Sequence, residues 1–426
     1  MSLHSEIKKS LEIAAIEGEN QFSAEKATMT EEFAIGGIRT YRYINEFWTS
    51  GQRQASSIHE ISYRACFKPQ LPRFFINLFT DMGDTVYDPF AGRGTTTVEA
   101  ALMGRKVLAN DVNPLSKILS KPRLAVPSAQ DIEKRLSEIP FDHKLENEID
   151  LSMFFHPQTE AELLSLRKYL TEHEEFLDDI DSWIRMVATN RLTGHSKGFF
   201  SVYTMPPNQA VSAERQKSIN LKRCQRPEYR DVRSIILRKT TQLIRNLTPD
   251  QLKLLKEASL SAVFMENDAA DTKTIPIESV DLIVTSPPFL DVVQYSKDNW
   301  LRCWFNKIDV AEIEKRLTMA TTLSKWSSAM RAVLRELYRI TRPGGWIAFE
   351  VGEVKNGLIK LEEEIVPLGV YSGFECAGVV INQQMFTKTS NIWGIRNNTS
   401  GTNSNRIVLF NKKLQGQDPV KKEVGG

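Results

Sequence analysis

The sequence predicts an α/β protein in which a doubly wound, Rossmann-like parallel sheet is interrupted by a mostly helical insert. Strand-like segments at 86–90 and 105–112 flank a glycine turn and a helical pattern over 95–104. This strand–turn–helix–strand order is typical of the beginning of a parallel sheet. The alternation stops after the second strand and resumes with strand-like segments at 261–268 and 280–289. The sheet is therefore expected to continue after the insert.

The remaining patterns complete this architecture. A helical pattern over 327–345 ends in Pro-Gly-Gly, and strands are predicted at 346–352 and 405–413. Between the two halves of the sheet, the stretch over 160–192 has helical spacing and the region around it lacks clear strands.

Five segments follow from these patterns. They are an N-terminal helical extension (1–57), the first half of the α/β domain (58–120), a helical and partly basic insert (121–260), the second half of the α/β domain (261–413) and a flexible tail (414–426).

Composition restricts the class of protein. With 426 residues, the chain is too long for one ordinary domain. Its net charge is only +2, so any affinity for a polyanion must come from a local patch. The N-terminus lacks the apolar run of a signal peptide, and no segment approaches the ~18 apolar residues of a membrane helix. The four cysteines form no CxxC pair and the histidines are scattered, which predicts a cytoplasmic protein without a metal site.

A glycine turn joins the first predicted strand to its helix. Gly92 and Gly94 let the backbone approach a ligand closely, and the following helix directs its first amides towards it. Asp88, Asp111 and Asp268 end three successive strands, where α/β sheets bind ligands. Each of these could merely cap a helix, and the turn alone could be structural. Together, without a P-loop lysine, they predict a cofactor with ribose, amino and sulfonium groups rather than ATP.

The segment LIVTSPPF is the most specific signal in the chain. An apolar strand leads into Ser286, Pro287, Pro288 and Phe289, and the two prolines stiffen the backbone while leaving carbonyl acceptors available. The alternative is a proline-stiffened loop without chemistry. The amino group of a nucleobase is a poor nucleophile because its lone pair is delocalised. Acceptors at the Ser286 hydroxyl and the Pro287 carbonyl would free that lone pair, and Phe289 could stack on the base.

The motifs DPFAGRGTT, ANDVNP and TSPPF together resemble the amino-group (N4-cytosine / N6-adenine) DNA methyltransferases, most closely the N4-cytosine-specific type. The resemblance covers 58–120 and 261–415 and implies S-adenosyl-L-methionine as cofactor and double-stranded DNA as substrate. It implies Ser286, Pro287, Pro288 and Phe289 as the catalytic residues. It implies, as cofactor-binding residues, Asp88, Pro89, Phe90, Gly92, Gly94, Thr95, Asp111 and Asp268. The segment 59–76, with Lys68 and Pro69, resembles the family's cofactor-flanking stretch.

The resemblance leaves the target base open. Serine in the first tetrad position is typical of N4-cytosine enzymes, whereas adenine enzymes usually carry aspartate there, so N6 of adenine remains the alternative. The position of the insert, between the second strand and the Asp268 strand, departs from the commoner family arrangements. Transfer to an RNA guanine amino group and a non-catalytic nucleotide-binding module are the competing hypotheses.

A basic stretch within the insert is the predicted nucleic-acid surface. The stretch from Arg191 to Arg245 contains twelve Lys or Arg residues and three acidic residues. This excess of positive charge favours contacts to phosphates over an ordinary solvated surface. The predicted DNA-binding residues are Arg215, Lys217, Lys222, Arg223, Arg226 and Arg230. The insert is therefore the candidate target-recognition domain of a nucleoid-associated prokaryotic enzyme that flips its target base out of the duplex. The sequence leaves open a cognate restriction endonuclease and the oligomeric state.

Overall fold

The structure is a computed structural model. It describes residues 3–17, 28–48, 55–63, 66–172, 174–205, 210–288, 295–316, 322–354, 359–383 and 404–414.

Eleven strands lie in the described part of the chain. They are β1 (Met29–Ile35), β2 (Ile38–Asn45), β3 (Thr85–Asp88), β4 (Lys106–Asn110), β5 (Val263–Met265), β6 (Val280–Thr285), β7 (Thr341–Val351), β8 (Glu353–Val354), β9 (Ile359–Lys360), β10 (Glu375–Gln383) and β11 (Ser404–Asn411). Nine of these form one sheet in the order β1-β2-β10-β11-β7-β6-β3-β4-β5, while β8 and β9 pair separately.

The helices in the described ranges are α1 (Leu3–Glu17), α2 (Gln70–Phe79), α3 (Thr95–Leu102), α4 (Leu115–Ser120), α5 (Ala129–Glu138), α6 (Pro157–Glu172), α7 (Asp179–Arg191), α8 (Ala213–Arg223), α9 (Val232–Ile244), α10 (Pro249–Ser261), α11 (Tyr295–Phe305), α12 (Val310–Arg316), α13 (Leu323–Ile340) and α14 (Leu361–Tyr371). Short 3₁₀ turns lie at Ser57–His59, Lys121–Arg123 and Glu174–Phe176.

The sheet is doubly wound, which confirms the predicted fold class. From β5 through β4, β3 and β6 to β7, every neighbouring pair is parallel. The chain runs outward from β3 to β5, then returns beside β3 as β6 and continues outward to β7. The winding direction therefore reverses between β3 and β6, which is where an open α/β sheet forms its ligand crevice. Leu282, Ile283 and Val284 of β6 are fully buried, as expected for a central parallel strand covered on both faces.

The prediction of a helical extension over 1–57 is wrong for residues 29–45. These residues form the antiparallel hairpin of β1 and β2, and β2 pairs in parallel with β10, so the hairpin widens the sheet. Gly36 and Gly37 lie in the tight turn with φ of 56° and 80°. A two-residue turn with positive φ at both positions matches the twist of a hairpin, and a Gly-Gly pair provides it.

The prediction that Pro-Gly-Gly ends the helix over 327–345 is also wrong. The helix α13 ends at Ile340, and the three residues lie within β7 rather than at the end of a helix. The carbonyl of Gly345 accepts a hydrogen bond from the Lys412 amide at 3.0 Å. The residue that follows β11 therefore stabilises the first part of β7.

The insert packs its own core and joins it to the main domain. Trp183 of α7 is fully buried, and its indole donates to Thr240 of α9 at 3.0 Å. Phe154, Phe155 and Phe200 belong to the same hydrophobic cluster as Val98 of α3 and residues of the central sheet. The helical part of the chain is thus continuous with one covering layer of the sheet, which gives the insert a fixed position beside the crevice.

Replacement of Gly94 tests the packing that brings this crevice together. Gly94 precedes α3 with φ of 72°, and a Cβ there would lie 2.3 Å from the Ser120 Cβ. We expect Gly94→Ala to lower the free energy of unfolding by about 3 kcal/mol, the left-handed backbone and the clash contributing similarly.

Gly83→Ala is the matched control, measured by urea unfolding. Gly83 also has a positive φ, 90°, but no atom lies within 4 Å of the added Cβ. The free energy of unfolding of Gly83→Ala should be lower than that of the wild type by only about 1 kcal/mol. Equal losses in the two variants would show that the contact with Ser120 does not constrain the turn.

Candidate active site

One pocket collects most of the sequence-predicted site residues at the carboxyl edge of the sheet. The predicted residues that line it are Asp88, Pro89, Phe90, Gly92, Thr95, Asp111, Asp268, Ser286 and Pro288. Gly94 and Pro287 are outside this lining: Gly94 shapes the start of α3, and Pro287 is buried. The predicted residue Phe289 lies outside the described residues.

Backbone hydrogen bonds shape the glycine turn. The amide of Ala91 donates to the Asn110 carbonyl at 2.9 Å, and the Gly94 amide donates to the Ala91 carbonyl at 2.6 Å. Gly92 has φ of 52°, and the nearest atom to a Cβ placed there is a ring carbon of Tyr63 at 3.8 Å. The turn therefore presents open backbone to the pocket, which suits a closely bound ligand.

Asp111 connects the end of β4 to this turn. One carboxylate oxygen accepts the Gly92 amide at 2.8 Å, and the other accepts the Asn113 amide at 2.9 Å. Burial raises the pKa of Asp111 to about 6, although both amide hydrogen bonds favour the ionised form. Each oxygen keeps a lone pair, so the carboxylate can accept further donors from a ligand.

Asp88 connects β3 to β6. Its Oδ1 accepts the Thr285 hydroxyl at 2.6 Å and the Phe90 amide at 3.1 Å. The side chain is buried, and burial raises the pKa of Asp88 to about 7 despite these hydrogen bonds. The pocket thus contains two carboxyl groups that a bound cation would stabilise in their ionised forms.

Asn110 is a site residue that the sequence analysis missed. Its amide nitrogen donates to the Asn267 carbonyl at 2.9 Å and to the Pro89 carbonyl at 3.2 Å, and its oxygen accepts the Asn267 amide at 2.9 Å. One side chain therefore joins the segments that follow β3 and β5. Asp268, next along the chain, is exposed at the rim of the pocket and accepts the Ala270 amide at 2.9 Å.

Glu350 of β7 is the second residue that the sequence analysis missed. Its carboxyl group shares a hydrogen bond with the Ser286 hydroxyl and accepts the Asn405 side-chain amide at 2.6 Å. Burial raises the pKa of Glu350 to about 7, close to neutrality. The signal in the sequence was an acidic residue within the apolar strand WIAFEVG, because a buried acid needs partners that the strand itself does not provide.

Trp326 of α13 holds the prolines of the tetrad in place. Its indole donates to the Pro288 carbonyl at 2.9 Å, and its ring is buried. Met330 and Val333, on the same helix, form an apolar wall of the pocket. The tetrad backbone is thus fixed between β6 and α13.

The segment predicted to flank the cofactor divides between two places. Tyr63, Cys66 and Phe67 line the pocket, whereas Lys68 and Pro69 line a separate cleft. The Arg93 guanidinium attaches this segment to the glycine turn by donating to the Ile61 carbonyl at 2.8 Å and, more weakly, to the Phe67 carbonyl at 3.4 Å.

The predicted DNA-binding residues do not form a uniform set. Exposed side chains are found at Arg215, Lys217, Lys222, Arg223 and Arg226. Within this group, Lys217 pairs with Asp150 at 3.4 Å, and the Arg223 guanidinium stacks 3.8 Å above the Tyr203 ring. Arg230 instead donates to the carbonyls of Ser196 and Phe199, at 3.1 and 2.7 Å, and to that of Ser201. The Nη1 group of Arg230 therefore serves the structure of the insert, because backbone carbonyls of the insert accept its hydrogen bonds.

The chemistry of the pocket fits a cationic nucleoside cofactor. Asp111 and the rim residue Asp268 are acceptors for hydroxyl and amino groups, and α13 contributes an apolar wall. Among the described residues that line the pocket, Arg316 is the single Lys or Arg, so the lining suits a phosphate-rich ligand poorly. A doubly wound sheet that carries such a pocket at its switch point defines an α/β protein that binds a nucleoside cofactor.

Comparisons with known proteins agree with this class. A family model described as DNA methylase, for N6 and N4 methyltransferases, matches residues 11–118. The Type II methyltransferase M.MvaI of Kocuria varians is 23% identical over 293 residues, which are 63% of this chain and 60% of that protein. The Type II methyltransferase M.BsoBI of Geobacillus stearothermophilus is 22% identical over 284 residues, which are 61% of this chain and 54% of that protein.

A solved structure is similar over more of the chain but only loosely. The rRNA methyltransferase aviRa of Streptomyces viridochromogenes is 11% identical and has a TM-score of 0.31, over 84% of this chain and 89% of that chain. This overlap is too low to bear on the fold or the function.

The family model and the curated relatives support an amino-group DNA methyltransferase family for this chain. Its cofactor is S-adenosylmethionine. The chain spans about 60% of the length of M.MvaI and 54% of M.BsoBI. Within the ranges that the structure describes, none of the helices combines the length and the apolar character needed to cross a membrane.

The buried carboxyl of Asp88 predicts a dependence of stability on pH. It binds its proton more tightly in the folded chain, with a pKa of about 7, than in the unfolded chain, where the value is 3.8. Its stabilising contribution is therefore complete below about pH 4 and is lost as the pH rises through 7. Asp88→Asn should remove this component, up to about 4 kcal/mol between these limits.

The measurement is the free energy of unfolding as a function of pH for both chains. Asp271→Asn, which changes an exposed carboxyl on the same side of the sheet, is the control and should follow the wild-type curve. A variant curve for Asp88→Asn parallel to that of the wild type would contradict the raised pKa.

Proposed function

We propose that this chain transfers the methyl group of S-adenosylmethionine to the exocyclic amino group of a base in double-stranded DNA, with N4 of cytosine as its target. The observation that carries the proposal is the position of Ser286. Ser286 lines the same pocket as Asp88, Asp111 and the glycine turn, and its hydroxyl hydrogen-bonds to the buried carboxyl of Glu350. A nucleobase acceptor site and a cofactor site therefore share one cavity.

The residues that would hold the cofactor follow the chain around the pocket. Asp111 would accept the ribose hydroxyls, and Asp268 would accept the adenine amino group at the rim. The methionine part would be enclosed by the lining residues of the glycine turn and its flanks, which are Asp88, Pro89, Phe90, Gly92 and Thr95. When bound, S-adenosylmethionine supplies an electrophilic methyl group on a positively charged sulfur.

The Ser286 hydroxyl has two tasks in this proposal. It donates its proton towards Glu350, which leaves the oxygen lone pairs free to accept one hydrogen of the target amino group. The Pro287 carbonyl accepts the other hydrogen. Two acceptors draw the nitrogen out of conjugation with the ring, so its lone pair is directed at the methyl group.

Glu350 takes up the proton that the methylated nitrogen must lose. The proton passes to the Ser286 oxygen while the serine proton passes to the carboxylate, so charge does not accumulate on the hydroxyl. A carboxyl with a pKa of about 7 suits this task, because it is substantially ionised near neutral pH and still holds a proton well. Asn405 keeps the carboxyl oriented through its 2.6 Å hydrogen bond.

The target base must leave the duplex to reach this pocket, because a stacked base cannot approach the methyl group. A serine rather than an aspartate in the first tetrad position favours cytosine over adenine. The two curated relatives are named Type II methyltransferases, which supports a short DNA sequence as substrate. We place target recognition in the insert, 121–260, which lies beside the crevice.

The test is incubation of the full chain with S-adenosylmethionine carrying a labelled methyl group and duplex DNA that contains all short sequences. The expected product is N4-methylcytosine after digestion to nucleosides, and Ser286→Ala should lose at least about 100-fold in turnover. N6-methyladenine as the product would replace the cytosine assignment. Label in structured RNA but not in DNA would contradict the proposal.

Replacement of Glu350 tests the proton-transfer role separately. Glu350→Gln keeps an acceptor for Asn405 but cannot take up the proton, so turnover should fall by about 10² to 10⁴ with little change in cofactor affinity. In the wild type, turnover should rise with pH through about 7 as Glu350 ionises. The remaining activity of the variant should lack this rise.

Glu363→Gln, an exposed change on α14, is the matched control and should keep both the turnover and the pH profile. A Glu350→Gln variant with wild-type turnover, or with an unchanged pH profile, would remove Glu350 from the proposed chemistry.

A further inference from the structure

A second cleft lies between the segment 55–70 and the insert helices α7 and α9. We refer to it as the cationic cleft. Its described lining contains five Lys or Arg residues and one acidic residue, Glu60. The basic residues are Lys68, Arg93, Arg191, Lys239 and Arg245.

Two of these cations are deeply buried. Arg191 is 7% exposed and Lys239 is 5% exposed. The Arg191 guanidinium donates to Asn190 at 2.5 Å and stacks 3.9 Å from the Phe199 ring centroid, while its Nε has no hydrogen-bond partner. Charged groups are almost never buried in this way without a counter-charge, because desolvation costs more than neutral hydrogen bonds return.

Glu60, the one acid in the described lining of the cleft, is shared between an exposed and a buried cation. Glu60 pairs with the exposed Arg245 and lies 3.9 Å from the Lys239 ammonium, which makes a closer contact with the neutral Gln242 at 3.0 Å. Burial, together with the neighbouring Arg191 guanidinium, lowers the pKa of Lys239 to about 7. The cleft therefore has an excess of positive charge that an anion would stabilise.

The cationic cleft adjoins the proposed reaction site. Tyr63 and Cys66 line both the cleft and the cofactor pocket, so the two cavities adjoin at these residues. The anion that enters the cleft would thus lie next to the place where an extruded nucleotide would enter. The cations come from both the α/β domain and the insert, which suits a ligand that spans the two.

We propose that the cationic cleft binds the phosphodiester backbone of the DNA substrate beside the extruded nucleotide. This inference rests on the proposed function and replaces part of the surface predicted from the sequence. Phosphates of a nucleic-acid strand provide several adjacent anions, which match the several cations of the cleft.

Two variants test the cleft through the salt dependence of DNA binding. Lys239→Met replaces a buried ammonium with an apolar side chain of similar length, and Arg245→Gln removes an exposed charge at the mouth. For each variant, the slope of log affinity against log salt concentration should become less steep by about 0.9 for each phosphate that the variant no longer neutralises. Lys253→Gln removes an exposed cation of α10 outside the cleft and should keep the wild-type slope.

Binding of S-adenosylmethionine and the unfolding temperature are measured for every variant, because unchanged values show that a loss of DNA affinity is not a loss of folding. Methyl transfer by the wild type is scored separately. Cleft-dependent DNA binding without any methyl transfer would support the cleft and contradict the proposed function. Methyl transfer with wild-type slopes in both variants would overturn the cleft alone.

Two other outcomes also overturn the assignment to DNA. The first is a slope that depends on the cleft for RNA duplexes but not for DNA duplexes. The second is stabilisation of the wild type by millimolar inorganic phosphate, absent in Lys239→Met, while DNA binding keeps its slope. That result would make the cleft a site for a small anion.

Discussion

The hydrogen bond from the Gly92 amide to Asp111 is the contact on which the site depends. It joins the turn after β3 to the end of β4, so the chain can leave one strand and still present open backbone beside the next. Because the carboxylate of Asp111 is partly desolvated, the amides of Gly92 and Asn113 stabilise its ionised form. The same acid then remains available to a ligand, so the group that shapes the turn is also one that recognises the cofactor in our proposal.

Similar side-chain bonds tie the other strand ends to this contact. Thr285 donates to Asp88 across β6 and β3, and Asn110 joins the segments that follow β3 and β5. Backbone hydrogen bonds between the strands stop at the strand ends, so the segments beyond them need other contacts to stay together. Polar side chains continue the connection past the last ladder bond. The pocket is therefore built from groups that hold the sheet edge together and still face its open side.

The parts of the site that the sequence predicted are those formed by adjacent residues. The glycine turn, Asp111 and Ser286 each belong to a local pattern whose backbone conformation limits the residue types. Glu350 and Trp326 were missed because they contact the tetrad from β7 and α13, and Asn405 because it contacts Glu350 from β11. Only the folded sheet brings these residues together. Arg230 was assigned to DNA because charge alone is visible in a sequence, whereas its backbone partners are not. The hairpin of β1 and β2 was missed although Gly36 and Gly37 indicated it.

The cofactor pocket and the cationic cleft, which share Tyr63 and Cys66, contain charges of opposite sign. On one side lie the carboxyl groups of Asp88 and Asp111, whose pKa values are raised by desolvation. On the other lie the buried cations Arg191 and Lys239, with Glu60 as the one acid in the described lining of the cleft. These carboxyl groups and cations line two separate cavities, so the folded chain bears an electrostatic cost of desolvation in each. A cation in the first site and a phosphate strand in the second would each remove part of that cost, and together they would place a sulfonium methyl group beside a nucleic-acid backbone.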